Sequence, residues 1–411
     1  MKRLWLMIVL TAAVAGLVFA GGRGQGSGGG GKVTLQAAYY DAGRQNEYDT
    51  LYGLFSKKYP NITIECISNL SEYRASMMAM IQSGTMPDLV MGQYTDLYDL
   101  GSNGHLIDLT TEPFIANFPD FIRKQMVEPD GKIYGIPHNL AAMGIFYNQE
   151  MFEKTGIKEF PKTVSALQDA CNTLKAAGFT PFSIANEPWV LGQMFGVMVS
   201  SVQPDVQDFS VQLKNNPRAD RKMKEMLYGI KAIDIQFNNA ISTAKSNDYG
   251  TFLNDFASGK VAMIQMGTWA IRSILDLGPQ FTMRYGAVPY SENPRDVRLS
   301  ANIGVSYAIG AQTKHKAEAL KLFEWLSSVE GNTEFGRLFG EIPVIPGVQF
   351  TYTPCTQDVK NFIDSEAICP WGQIFMSSAG WAEGDPIMQS YYLGEATAEE
   401  TINKWYDAWY K

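Results

Sequence analysis

This chain holds few of the residues from which reactive centres are usually built. Its 411 positions contain three histidines, His105, His138 and His315, and they are dispersed. No HExxH pair, EF-hand run or zinc-type cysteine spacing occurs, so neither a metal nor another cofactor is expected. The P-loop and G-x-S-x-G patterns are missing, which removes the short signatures of nucleotide binding and serine hydrolysis. Basic residues are outnumbered, 34 against 42 acidic, giving a formal charge of −8 and a pI near 5.1. A surface of that sign disfavours nucleic acid and anionic membrane as partners and leaves a neutral ligand open. Beyond the N-terminus, no apolar run reaches the ~20 residues of a membrane span.

What is present argues for a large core. Hydrophobic residues make up 45% and charged residues 18%, so global disorder is excluded. The length exceeds one compact domain and predicts two lobes. Lys2 and Arg3, the apolar run Leu4–Phe19 and the small-residue end Val18-Phe19-Ala20 have the form of a signal peptide, residues 1–20, read as cleaved after Ala20 with a retained anchor as the alternative. Residues 21–31, GGRGQGSGGGG, read as a flexible leader. Export permits disulfides. Cys355 and Cys369 lie close together in a loop-rich region and are expected to bridge, a closure of about 15 residues contributing ~3 kcal/mol on the chain-entropy model. Cys171 falls on the apolar stripe Val164, Leu167, Cys171, Leu174 and reads as a buried thiol. Cys66 ends an alternating strand.

Secondary-structure signals open with β-α-β-α-β. Val33, Leu35 and Ala37 alternate as in a half-buried strand, and Tyr48, Leu51, Tyr52 and Phe55 repeat at helical spacing. Ile62 to Ile67 is a second strand. Tyr73, Met77, Met80 and Ile81 mark a second helix, and Asp88 to Met91 a third strand. The pattern predicts a parallel sheet with crossover helices, whose ligands sit beyond the carboxyl ends of the strands.

Five blocks, in order, resemble the family 1 bacterial extracellular solute-binding proteins. They are FSKKYPNITIE (55–65), YRASMMAMIQSGTMPDLV (73–90) with GHLIDLT (104–110), DGKIYGIPHNLAAMGIFYNQEMFEKTGIKEFPKTVSALQDACNTLKAAGFTPF (130–182), FLNDFASGKVAMIQMGTWAI (252–271) and KHKAEALKLFEWLSS (314–328). Maltose- and oligosaccharide-binding proteins of ABC sugar importers are the best-known members. The resemblance implies an α/β, two-lobe periplasmic binding protein fold of type II, with an interlobe ligand cleft and discontinuous lobes. Lobe one is expected at 32–140 plus 303–335, and lobe two at 141–302 plus 336–411. Hinges are expected at Pro137–Met143, Leu299–Gly304 and around Gly340–Pro343. It further implies a monomer that captures a mono- or oligosaccharide and delivers it to membrane permease subunits, without catalysis. Many relatives carry a lipid-anchoring cysteine after the apolar leader. This chain has none there, which points to a free periplasmic protein.

A saccharide offers hydroxyls around its edge and weakly apolar faces, so a site for it needs aromatic planes and in-plane polar groups. Relatives place a tryptophan at the position of Trp269, which follows a strand end in GKVAMIQMGTW. Trp189 and Trp371 are further stacking candidates, with Tyr40 from lobe one. Asp41 and Gln93 fall at carboxyl ends of lobe-one strands, and Arg74 at a helix start. Asn139 and Asn302 belong to the first two crossings, and Glu341 sits in GEIPVIPG, where relatives approach the ligand. Trp381 is a weaker candidate, Trp325 reads as core, and Arg44, Arg74 and Arg272 could pair with an acidic sugar, with a solvated cation as the plainer role for each. His138 is the only histidine near the expected cleft. Two other readings stay open: a secreted glycosidase or lyase using paired carboxylates, and a binder of a non-sugar solute.

Overall fold

The β-α-β-α-β opening forms as its apolar spacing predicts. The protein was analysed as a computed structural model that describes residues 31–39, 44–67, 73–203, 205–216, 219–376 and 378–409. The expected signal segment and nearly all of the glycine-rich leader lie outside them, as do Tyr40 and Asp41. Twelve strands occur among the described residues: β1 Val33–Ala38, β2 Ile62–Ile67, β3 Leu89–Gly92, β4 Gly135–Pro137, β5 Asn139–Asn148, β6 Thr180–Phe182, β7 Val261–Gly267, β8 Met283–Gly286, β9 Leu299–Ile303, β10 Ser306–Ile309, β11 Ile342–Pro343 and β12 Ile368–Cys369. β1 pairs parallel with β2 and β3. Helix Gln45–Lys58 between β1 and β2 buries Tyr48, Leu51, Tyr52 and Phe55, the predicted stripe.

The first sheet has the order β2-β1-β3-β10-β4. β10 runs antiparallel to both neighbours, with Ser306 level with Gly92 on one side and Pro137 on the other. A strand from late in the chain therefore completes a sheet begun by the first ninety residues.

The second sheet is built around the ten-residue β5. One edge of β5 carries β9 and then β8, the other β11 and then β7. β6 lies outside β7 and β12 outside β9. The near-continuous burial of β5 and β7 is what a sheet covered on both faces requires. Helix Ser378–Leu393 packs on Pro188–Val202, and helix Ala398–Trp409 on Ser378–Leu393 and Met223–Asn238. Trp405 and Trp409 are fully buried there and edge-on to each other, and Trp409 is also edge-on to Phe209.

The chain passes between the sheets three times. β4 leads to β5 through His138 alone, and β9 leads to β10 through Gly304 and Val305. Helix Val329–Phe339, packed on helices Gln45–Lys58 and Lys316–Leu326, leads to β11 through Gly340 and Glu341. Gly340 has φ 68°, the left-handed helix cap that glycine supplies without strain. All three passages lie side by side, because Leu140 of β5 is level with Ile303 of β9 and Ile342 of β11.

The expected disulfide is not formed: all four cysteines are free. Cys355 opens helix Pro354–Asp364, which packs on β8, with its sulfur 3.1 Å from the Thr353 hydroxyl. Cys369 is held in β12 beside Ser300 of β9. Closeness in sequence did not translate into facing side chains, since helix and edge strand each fix their own thiol. Burial pushes the thiols of Cys171 and Cys369 up to about 12 and that of Cys355 to about 11. Among the described residues no helix is long and apolar enough to cross a membrane.

Candidate functional site

Three indoles meet where β7 and β12 end. Thr268 locks the end of β7 to β5: its amide donates to the Ala142 carbonyl (2.9 Å) and its hydroxyl accepts from the Ala142 amide (3.1 Å). Trp269 follows directly. Its ring folds back over Gly267, where a Cβ would come within 2.1 Å of the indole, so glycine is required at that strand end. Trp371 leaves β12, and its amide donates to Asn302 Oδ1 at 2.7 Å. The next amide, of Gly372, donates to the Ser200 hydroxyl. Trp269 and Trp371 lie nearly parallel, 25° and 5.9 Å between centroids. Trp381 meets Trp371 at 63° and also 5.9 Å. Such pairs are worth ~0.5–1.5 kcal/mol beyond their burial. Trp269 stays half-buried while Trp371 and Trp381 are buried. The 3-10 turn Gly372–Phe375 also meets helix Tyr94–Ser102 of the first-sheet side, so the Trp371 segment borders both halves.

A polar cluster occupies the three passages. Glu341 accepts from Arg44 Nη1 (2.9 Å) and from Asn139 Nδ2. Arg44 Nη2 donates to the Phe339 carbonyl (2.8 Å), and its guanidinium lies over the Phe339 ring at 4.6 Å. His138 is enclosed by Tyr307 and Phe335, at 4.6 and 4.2 Å between ring centroids. Burial, helped by the Arg44 charge, lowers its imidazole to about 3. Below it Asn332 of helix Val329–Phe339 donates to the His138 carbonyl (2.9 Å) and accepts from the amides of Val344 (3.0 Å) and Ile345 (3.1 Å).

Residues 52–362 match the family model of the bacterial extracellular solute-binding proteins. The chain belongs to that family. It is 28% identical over 322 residues to an uncharacterized ABC transporter extracellular-binding protein of Pyrococcus horikoshii, covering 74% of this chain and 70% of that one. It is 22% identical over 303 residues to the multiple sugar-binding protein of Streptococcus mutans, covering 72% and 71%. Among solved structures it is similar to the solute-binding protein RafE in complex with raffinose, with TM-score 0.79, 20% identity and coverage of 92% and 99%. The apo form of RafE from Streptococcus pneumoniae matches at TM-score 0.78 and 21% identity, covering 93% and 99%. A chitin oligosaccharide binding protein matches at TM-score 0.74 and 19% identity, covering 92% and 98%. The fold is thus the two-lobe α/β architecture of these proteins.

In this solute-binding protein the predicted site residues separate into groups. Trp269, Trp371 and Asn302 come together, and Trp381 joins them. Asn139 and Glu341 come together with each other instead, at the passages. Arg44 is not solvated as expected: Glu341 and the Phe339 carbonyl engage it, with 14% of its side chain exposed. Arg272 pairs with Asp276 one turn on, in solvent. His138 is core between rings rather than a cleft residue. Trp189 stands apart from the other indoles; its N–H donates to Glu187, and its ring meets Tyr249 edge-on at 5.0 Å. Gln93 precedes helix Tyr94–Ser102, its amide donating to Asp96 (3.2 Å) at the carboxyl end of β3. Arg74 lies in the first turn of helix Tyr73–Ser83. Trp325 is core against Phe55.

Sequence reasoning missed Asn332 and the role of Arg44. Arg44 also reaches Glu47 three residues on (3.8 Å), but the side-chain hydrogen-bond partners of both residues lie 12 to nearly 300 residues away. A depression of about 320 Å³ between helices Pro188–Val202 and Met223–Asn238 is lined by Tyr228, Tyr290 and Asp296 and shares no residue with the indole group. Among the described residues, no group of three or more His, Cys, Asp or Glu is placed to hold a metal.

Proposed function

We propose that this protein captures a mono- or oligosaccharide between two lobes and delivers it to the membrane permease of an ABC importer. The observation that carries the reading is the contiguous group Trp269–Trp371–Trp381 at the end of β7 and β12, with Asn302 fixing the backbone of Trp371. A half-buried indole over a rigid strand end suits the C–H face of a pyranose. Asn302 spends its carbonyl on Trp371, so in-plane hydroxyl recognition falls to its amide nitrogen and to the lobe-one candidates Tyr40, Asp41, Arg74 and Gln93. The multiple sugar-binding, raffinose-bound and chitin oligosaccharide relatives support a carbohydrate as the class.

The two sheets support two discontinuous lobes, which we place at 32–137 with 306–339 and at 139–303 with 342–411. These ranges follow strand membership, so the hinges become His138, Gly304–Val305 and Gly340–Glu341. Closure is stabilised by a ligand only through contacts made to both lobes at once. The family's members are binding proteins, and we propose no catalysis: Glu341 is engaged by Arg44 and Asn139 rather than offering a general acid. We take the mature protein to act in the periplasm, which the signal-peptide form of residues 1–20 supports, and to act as a monomer.

A thermal-shift screen with raffinose, maltodextrins and chitin oligosaccharides tests the reading. A ligand present at 100 times its dissociation constant adds ~2.7 kcal/mol. No shift with any saccharide, alongside a shift with a peptide or polyamine, refutes the sugar class. New reducing ends during the incubation refute the binder.

A further inference from the structure

Three passages between two lobes make a hinge only if something keeps them in step. Two buried asparagines sit where that is done, one of them through its backbone as well as its side chain. Asn139 touches every passage. Its backbone opens β5 in the first, and its carbonyl accepts from the Gly304 amide of the second at 3.0 Å. Its side-chain nitrogen donates to Glu341 of the third. Its Oδ1 is buried without a hydrogen-bond partner and faces Gly304 closely: a Cβ there would lie 2.1 Å from Oδ1 and 2.8 Å from Cγ. Asn332 repeats the tie one layer down. It is 1% exposed, and from a lobe-one helix it binds the His138 carbonyl of the first passage and the Val344 and Ile345 amides that continue the third. Arg44 anchors the cluster to the start of helix Gln45–Lys58 through Glu341 and the Phe339 carbonyl.

We propose that Asn139 and Asn332, with Glu341 and Arg44, form a single pivot that forces the three passages to move together, and that Asn139 and Glu341 serve this pivot rather than the ligand. The physical basis is satisfaction of buried polar groups. A passage that moved alone would leave an amide or carboxylate unpaired away from water, which is costly compared with a joint rotation that keeps every bond. Gly304 is the clearance for it. Its φ is not in the left-handed region, so glycine is there for space. Alanine would press on the short, anchored Asn139 side chain, which cannot swing aside as a long flexible one would.

The inference rests on the two-lobe reading above but not on what is bound, so ligand-free protein tests it. Amide hydrogen exchange is followed by mass spectrometry on the full chain and on Asn139→Ala and Gly304→Ala. Both variants are expected to speed exchange at least tenfold in peptides spanning 299–305 and 340–346, as well as around 139. Helix Val164–Ala176 serves as the unaffected reference. A rise confined to the neighbourhood of the substituted residue overturns the pivot, and so does unchanged exchange. If Asn139→Ala exchanges faster everywhere because it is globally destabilised, Gly304→Ala decides by the same criterion. Failure of every saccharide to bind would refute the proposed function while leaving this result standing.

Discussion

Replacing Trp269 by alanine separates a binding platform from a core residue. The indole is already engaged on one side by Trp371 and folded over Gly267. A buried aromatic covers ~150–250 Å², and at most about a third of that, ~50–80 Å², is left for a ligand on the half-buried ring. At ~25 cal/mol/Å² this is ~1.3–2 kcal/mol, or about 8- to 30-fold in affinity. The folded protein loses the Trp371 stack, ~0.5–1.5 kcal/mol, on top of the already buried part of the ring, ~2.5–4 kcal/mol at the same coefficient, which together correspond to several degrees in melting temperature. Titration calorimetry with the saccharide found by thermal shift reads the first quantity, and calorimetric unfolding of the ligand-free variant reads the second. Affinity within twofold of the parent, together with a fall of more than ten degrees, would show that Trp269 only packs.

Three further expectations follow from the described contacts. Unfolded, the His138 imidazole takes its proton near pH 6.5, but folded only near pH 3. The unfolded chain therefore binds the extra proton between those values, and stability falls as pH drops through that window, by up to about 1.4 kcal/mol per pH unit. Urea midpoints measured from pH 7 to pH 4 should fall less steeply in His138→Gln; equal slopes would remove His138 from the account. Asp358 accepts from Arg284 Nε and Nη2, both at 2.7 Å, and from the Tyr285 amide at 3.0 Å. Asp358→Ala should cost about 2 kcal/mol, less than a fully buried pair because Arg284 keeps 33% of its side chain in solvent; an unchanged urea midpoint would contradict this. Unreduced protein in guanidinium should titrate four thiols with Ellman's reagent, whereas two would mean that Cys355 and Cys369 are bridged.

Local periodicity made much of the fold legible. The stripe Tyr48, Leu51, Tyr52, Phe55 and the stripe through Cys171 are buried as read, because each depends only on neighbours within a few turns. Trp269 could be placed at a strand end for the same reason. The polar groups were less legible. Glu341 and Asn139 were expected to face a ligand, yet their nearest partners are each other, 202 residues apart. A residue's type says what it can bond to, while the register of β5 between β9 and β11 decides what is in reach. The cysteine pair failed on the same ground, since short separation along the chain says nothing about which way a helix and an edge strand aim their thiols.

The position of β10 carries a consequence for how the polypeptide matures. Residues 306–309 fill the slot between β3 and β4, so a nascent chain three-quarters made still lacks the strand that joins them. Until it arrives, β3 keeps one flank bare and β4 has no mate, an invitation to pair with strangers. Truncated forms ending before Ser306 should therefore clump rather than yield a stable amino-terminal half.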